Sequence, residues 1–284
     1  MLVGPTMRRR RLGAELRRLR ESRSLKLEQV AARLGVAPST LSRIETGKAP
    51  TRTSYLTVML ELYGVDDPAW QQPLIELARQ GQRKGWWAPW DDLLPPGFGS
   101  YLGLEAEASA VRAFGVQVIH GLLQTPEYAR AVIRASRPDL VEEQVKRLVD
   151  AARRRQQALL RTESAQLRLI IDESALLRAF GPAQVMTCQL EHLAAASQRP
   201  ALTVQVLRLA GSPDPVLSGS FAILSFADPA DSDVLSVEGH RGQTLVEERP
   251  AEVRAAGNVF DALSHAALTP AESADLISEL ARGR

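Results

Sequence analysis

Ala37-Pro38-Ser39-Thr40-Leu41-Ser42-Arg43-Ile44-Glu45-Thr46-Gly47-Lys48 reads as one short helix, entered through the turn Leu34-Gly35-Val36 and closed at Gly47. Pro38 stands at the first helical position, where its missing N–H would have had no intrahelical partner. Leu41 and Ile44 lie three apart on one face and form the buried pair, leaving Ser39, Thr40, Ser42 and Arg43 on the outside. Small hydroxyls and one guanidinium on the outer face of a short helix suit the major groove of duplex DNA. That groove admits a helix, and an arginine there can bond guanine through two hydrogen bonds.

The segments on either side supply a scaffold for this helix. Leu12, Leu16 and Leu19 recur at helical spacing and predict a helix over 9–22. Leu27, Val30, Ala31 and Leu34 predict a second over 26–33, stopped by Gly35, which tolerates the left-handed conformation at a helix C-terminus. Leu56, Met59, Leu60 and Leu62 mark a helix at 53–63, and Trp70, Leu74, Ile75, Leu77 and Ala78 one at 68–83. Charge is segregated in the same region. Residues 8–52 hold thirteen Lys and Arg against four Glu, a net +9, whereas the whole chain is only +2 and the remainder is therefore −7. A basic module joined to an acidic partner domain is the electrostatic footprint of nucleic-acid binding. The run Arg8-Arg9-Arg10-Arg11 reads as a phosphate-touching arm or a leader, and translation from Met1 or from Met7 is compatible with it.

The run Leu16-Arg17-Arg18-Leu19-Arg20, then Leu25 to Val36, then Ser39 to Gly47 resembles the Cro/cI-type (XRE) helix-turn-helix family. The resemblance implies a five-helix domain over about 1–80 whose third helix reads bases. Carried over by position, Pro38, Ser39, Thr40 and Arg43 face bases, and Gly35, Leu41, Ile44, Glu45 and Gly47 are structural. Arg17, Arg18, Ser42, Lys48 and Arg52 are the candidate phosphate contacts. Two departures stand out. Lys26 replaces the usual Ser or Thr cap of the second helix, weakening its start. Leu27 replaces a residue that is often polar and near phosphate.

Composition sets the outer limits. At 284 residues, 45% of them hydrophobic, the chain is long enough for two packed domains. Cys188 is the only cysteine, which excludes an internal disulfide and fits a reducing cytoplasm. It reads as a small core residue on a helix. No apolar run approaches the roughly 20 residues of a membrane helix, so no membrane partner is expected.

Residues 81–100 read as a Trp/Pro/Gly-rich linker, with Trp86, Trp87 and Trp90 anchoring it or forming an interaction surface. Beyond it, 101–284 reads as a regulatory α+β domain, so the fold class is mainly α with a C-terminal α+β domain of about four strands. Helices are expected at 101–114, after Thr125-Pro126, and at 141–162, 182–197, 250–266 and 270–281. Strands are expected at 167–171, 203–207, 221–226 and 234–237, with a short extended run at 116–119.

Trp86-Trp87, Leu104 to Ala108, Gly121 to Arg130, Arg153-x-Arg155-Gln156, Asp172 to Leu176 and Val204-x-Val206-Leu207 resemble an actinobacterial domain of unknown function, number 5753, that commonly follows such a helix-turn-helix. The resemblance spans about 86–280 and implies a transcription regulator, sometimes paired with a small partner protein, with no known ligand. His120 and Ser236-Val237-Glu238 depart from the family pattern at places able to shape a pocket or interface.

The residues offer little enzyme chemistry. The four histidines have no metal-ligand spacing, Leu217 to Phe221 lacks the order of a nucleophile elbow, and no phosphate-cradling glycine loop appears. Asp172-Glu173 is an acidic pair at a strand end that also suits a helix start, and Arg155 is a candidate to join it. The reading is a sequence-specific, homodimeric regulator of double-stranded DNA, cytoplasmic, with no cofactor and no metal. Trp86, Trp87, Trp90, Arg155, Asp172 and Glu173 are its candidate partner or ligand surface. An antitoxin-like interaction protein with autoregulatory DNA binding, and a DNA-tethered enzyme using Asp172 and Glu173, stay open beside it.

Overall fold

The computed structural model describes residues 5–160, 165–210, 219–239, 244–247 and 249–283. The chain divides into two compact units between Pro89 and Trp90, inside the tryptophan-rich segment.

The first unit comprises α1 (Pro5–Ser22), α2 (Leu27–Leu34), α3 (Pro38–Glu45), α4 (Thr53–Leu62) and α5 (Pro68–Gly81). The apolar positions that set the helical periodicity are the ones that meet in its core: Leu12, Leu16, Val30, Ala31, Leu41, Ile44, Leu56, Met59, Leu60, Leu74 and Ala78. Each fully buried leucine of this set contributes roughly 1.5–3 kcal/mol relative to exposure. One expectation is corrected. The arginine run is no free arm, because α1 begins before it. Arg8 is buried, and Arg9 Nε donates to the Gly81 carbonyl at 2.5 Å, fastening α1 to the end of α5. The weak start expected for α2 has its own remedy: Gln29 Oε1 accepts the Lys26 N–H at 2.8 Å, while the Lys26 side chain, which has no acceptor, caps nothing.

The second unit is built on a six-stranded sheet of order β3-β2-β1-β4-β5-β6. Its strands are β1 (Ala110–Gly115), β2 (Gln166–Asp172), β3 (Leu202–Leu207), β4 (Phe221–Ser225), β5 (Val234–Glu238) and β6 (Thr244–Glu247). β1, β2 and β3 run parallel, with Phe114 beside Ile170 and Ile170 beside Gln205. β4 turns antiparallel against β1, pairing Phe221 with Phe114, and β5 and β6 continue antiparallel. The described helices of this unit are α6 (Phe98–Glu105), α7 (Pro126–Ser136), α8 (Glu142–Leu160), α9 (Glu173–Leu177), α10 (Ala183–Ala196), α11 (Pro250–Ala266) and α12 (Pro270–Arg282). Phe260, Leu263 and Val253 of α11 pack on Phe114, Ile170, Leu207, Phe221, Ile223 and Leu235 of the sheet.

The four expected strands appear as β2 to β5; β1 and β6 are additional. The helix expected over 101–114 stops at Glu105, and Ala110–Gly115 is the strand β1, while 116–119 is not a strand. β1 is a central strand whose Val111, Ala113 and Phe114 are all buried, so it lacks the polar alternation that would separate it from the helix before it. α7 starts as expected, Thr125 Oγ1 accepting the Tyr128 N–H at 3.2 Å with Pro126 in the first turn. Cys188 lies on α10 but on its exposed side, so it is not a core residue.

Candidate nucleic-acid interface

α3 presents Pro38, Ser39, Ser42 and Arg43 to solvent and half-buries Thr40, while Leu41 and Ile44 are buried beneath them. Its orientation is fixed from three sides. Gly35, at φ +65°, makes the left-handed step between α2 and α3. At the other end Arg20 of α1 forms a buried bidentate pair with Glu45, Nε and Nη2 donating at 2.7 and 2.9 Å, and its Nη1 donates to the Leu25 carbonyl at 2.8 Å. Between them α1 crosses α3 so closely that a Cβ on Gly13 would sit 2.5 Å from the Ile44 carbonyl oxygen and 2.6 Å from that of Glu45. Gly47, at φ +68°, is also closely packed: a Cβ there would sit 2.8 Å from the Arg10 backbone.

The cations of this unit fall into two groups. Arg17 donates to Glu21 at 2.8 Å, and Arg18 grips Glu15 at 2.8 and 2.5 Å. Both pairs are exposed and screened by solvent, so exchange for a phosphate is easy. Lys26, Arg33, Arg43 and Lys48, in contrast, have no carboxylate partner among the described residues; Arg43 and Lys48 are exposed. Arg52 lies over the Tyr55 ring at 5.6 Å. Exposed cations with no carboxylate partner among the described residues thus stand on and just after α3.

The second unit carries a buried polar cluster. Arg155 of α8 donates to Glu105 at the end of α6 at 2.6 and 2.8 Å, and Tyr101 Oη donates to the same carboxylate at 2.7 Å. The guanidinium lies 5.5 Å from the ring centroids of both Phe98 and Tyr101. Burial pushes the Glu105 carboxyl upward, but Arg155 and the two hydrogen-bond donors outweigh it and hold the group below its ordinary value. Burial, with Arg155 nearby, takes His120 down to about 4, so its ring is neutral at pH 7. Gln156 fixes the adjoining loop, Nε2 donating to the carbonyls of Gly121 at 3.0 Å and Gln124 at 2.8 Å. Against this cluster lies a cavity of about 590 Å³ walled by Leu94, Phe98, Val118, Val132, Ile133 and Leu148. A smaller one of about 280 Å³ shares its Phe98, Gly121, Arg155 and Glu238 edge.

A family model described as a domain of unknown function (DUF5753) matches residues 98–279, more than half of the chain. The chain belongs to that family. A helix-turn-helix domain model matches residues 11–70. The protein is therefore a helix-turn-helix, DNA-binding regulator with a C-terminal DUF5753 domain. Neither a curated protein nor a solved structure matches the chain.

Within the DUF5753 domain Arg155, Asp172 and Glu173 are not gathered into one site. Arg155 is held by Glu105. Asp172 is buried and caps α9, accepting the Ser174 N–H at 2.9 Å. Glu173 pairs with Arg208 at 3.1 Å and accepts the Leu209 N–H at 2.9 Å. Trp86 and Trp87 belong to the first unit, edge to face at 6.0 Å with Trp87 buried, and Trp90 belongs to the second. Among the described residues no His, Cys, Asp and Glu cluster suits a metal ion, and no helix is long and apolar enough to cross a membrane.

Sequence reading missed Glu105 and Tyr101 as parts of the site, while His120 and Glu238, expected where a pocket or interface could be shaped, do border the cavities. Glu105 did leave a signal. It is an acid within the apolar stretch Tyr101 to Ala108, and a carboxylate buried there requires a cation and donors.

Proposed function

We propose that the protein is a homodimeric, Cro/cI-like transcription regulator that reads a short half-site with α3 and answers to a ligand or small partner taken up by its DUF5753 domain. The exposed face of α3, with Arg43 and Lys48 unpaired above a rigidly seated helix, carries this reading. Ser39, Thr40 and Arg43 face bases, and Ser42, Lys48 and Arg52 hold phosphates, with Arg17 and Arg18 joining once they exchange their carboxylates. A dimer spans two half-sites about one helical turn, roughly 34–36 Å, apart. Asp172 and Glu173 are occupied by a helix cap and an ion pair, which supports a binding rather than a catalytic role for the second domain.

Repeated selection from a random-sequence duplex pool at physiological salt tests the reading. An enriched inverted repeat, loosened at one position per half-site by Arg43→Ala, is the expected result. Enrichment of a single half-site would refute the dimer. A pool that stays random would refute unassisted sequence recognition and move the antitoxin-like reading, in which a partner protein is required, to the front.

A further inference from the structure

We propose that the DUF5753 cavity binds a small amphipathic organic cation, with its ammonium at Glu238 and its apolar body against the aliphatic wall. This rests on the reading that the second domain takes a ligand, and it specifies the site and the class.

The first support is topological. The chain passes from β1 through α7 and α8 to β2 on one side of the sheet, and later returns as β4 on the other side of β1. Strand order therefore switches between β1 and β4. In open α/β sheets the crevice beyond the carboxyl end of the strand at such a switch is where ligands bind. The cavity lies there. Its lining includes Gln117 and Val118 just after β1, Gly219 and Ser220 just before β4, and Glu238 at the end of β5. Its volume of about 590 Å³ falls within the roughly 300–1,000 Å³ of pockets that enclose small organic ligands.

The second support is the charge inventory. Arg155 borders both cavities, but Glu105 neutralises it with two hydrogen bonds, so it does not repel an incoming cation. His120, which borders the smaller cavity, is neutral. Arg137 borders only the larger cavity, where its Nη1 donates to the Leu93 carbonyl at 3.2 Å. Glu238 borders both, and among the described residues its carboxylate has no hydrogen-bond or ion-pair partner. The side chain is exposed at the rim the two cavities share, and a carboxylate with no donor of its own gains a charge-assisted hydrogen bond from a ligand that brings an ammonium. Phe98, Tyr101, Phe114 and Phe221 border the smaller cavity around it, and aromatic rings favour a neighbouring cation. Arg155, stacked on two of them, already exploits that preference.

The test uses three probes of one shape: 4-phenylbutylamine, 4-phenylbutan-1-ol and 4-phenylbutyrate. Each is titrated into the purified full chain at pH 7 and followed by saturation-transfer NMR and calorimetry. The amine is expected to bind at least about tenfold tighter than the alcohol, with the acid weakest. Glu238→Gln keeps the shape and removes the charge; it should bring the amine down to the level of the alcohol and leave the alcohol unchanged. Ile133→Trp, which fills the wall, should weaken all three, with circular dichroism confirming that each variant is folded. Preference for the acid, or an amine preference that survives Glu238→Gln, would overturn the cation assignment while leaving a ligand pocket in place. Absence of binding by every probe would overturn the pocket, and with it the reading that this domain takes a small ligand.

Discussion

Replacing Arg20 with Met tests how the recognition helix is held. In the folded protein Arg20 makes three hydrogen bonds, two to Glu45 and one to the Leu25 carbonyl, and both members of the pair are almost fully buried, with side-chain exposures of 10% and 3%. Methionine keeps most of the packing of the stem but leaves the Glu45 carboxylate and the Leu25 carbonyl without donors. Breaking a buried pair on one side costs about 3–5 kcal/mol, because the remaining charge is left uncompensated. Since the protein has two units, one melting temperature would mix their stabilities. Amide exchange in α1 and α3 reads this unit alone, and protection there should fall by about two to nearly four orders of magnitude. In the double variant Arg20→Met, Glu45→Leu the orphaned charge is gone, and most of the loss should return. A single variant that costs less than about 1 kcal/mol, or a double variant as damaged as the single one, would refute the claim that this pair seats α3.

Three further outcomes follow from the same geometry. Gly13→Ala should gain about 1 kcal/mol of helix propensity and lose more by overpacking against two backbone carbonyls that cannot rotate away. Amide exchange in α1 and α3 should show a net destabilisation of up to about 2 kcal/mol together with weakened DNA binding; a stabilised variant would contradict the close crossing of α1 and α3. Arg43→Ala should cost roughly 1–3 kcal/mol on the selected operator and relax one position, whereas Lys48→Ala should weaken all sequences alike and lower the salt slope by about 1; fluorescence anisotropy over a salt series separates the two. For His120, the folded-state pKa of about 4 lies below the ordinary 6.5. Between those values the unfolded chain binds a proton that the folded chain does not. The His120-dependent part of stability is thus intact above pH 6.5 and lost as pH falls toward 4, by about 3 kcal/mol at most. His120→Gln should remove this part of the slope, and an unchanged difference between the two proteins from pH 7 to 4 would show that His120 is not held neutral.

The first unit was legible in the sequence because its information is local. Leucines at helical spacing marked α1, α2, α4 and α5, Gly35 and Gly47 marked the two ends of the α3 region, and the outward Ser39, Ser42 and Arg43 followed from the inward Leu41 and Ile44. The charge segregation was legible too, since it requires only counting. The pairs Arg17–Glu21 and Arg18–Glu15 sit at helical i,i+4 and i,i+3 spacing and are local too; the buried pair of Arg20 with Glu45 joins α1 to α3 and needed the fold. The second unit was read less completely for a related reason. β2 to β5 announced themselves as β-branched runs, but β1 is buried and continues the apolar pattern of α6, so only pairing with β2 and β4 makes it a strand. The site there is still less local. Glu105, Arg155 and Glu238 are far apart in the chain, and sequence offered Asp172 and Glu173 as partners for Arg155. Tertiary structure assigns Glu105 instead, because α6 and α8 bring those two charges together in a buried site. It also brings Glu238, at the end of β5, to the edge of a cavity walled by residues from α6, α7 and α8, which no local pattern could foretell.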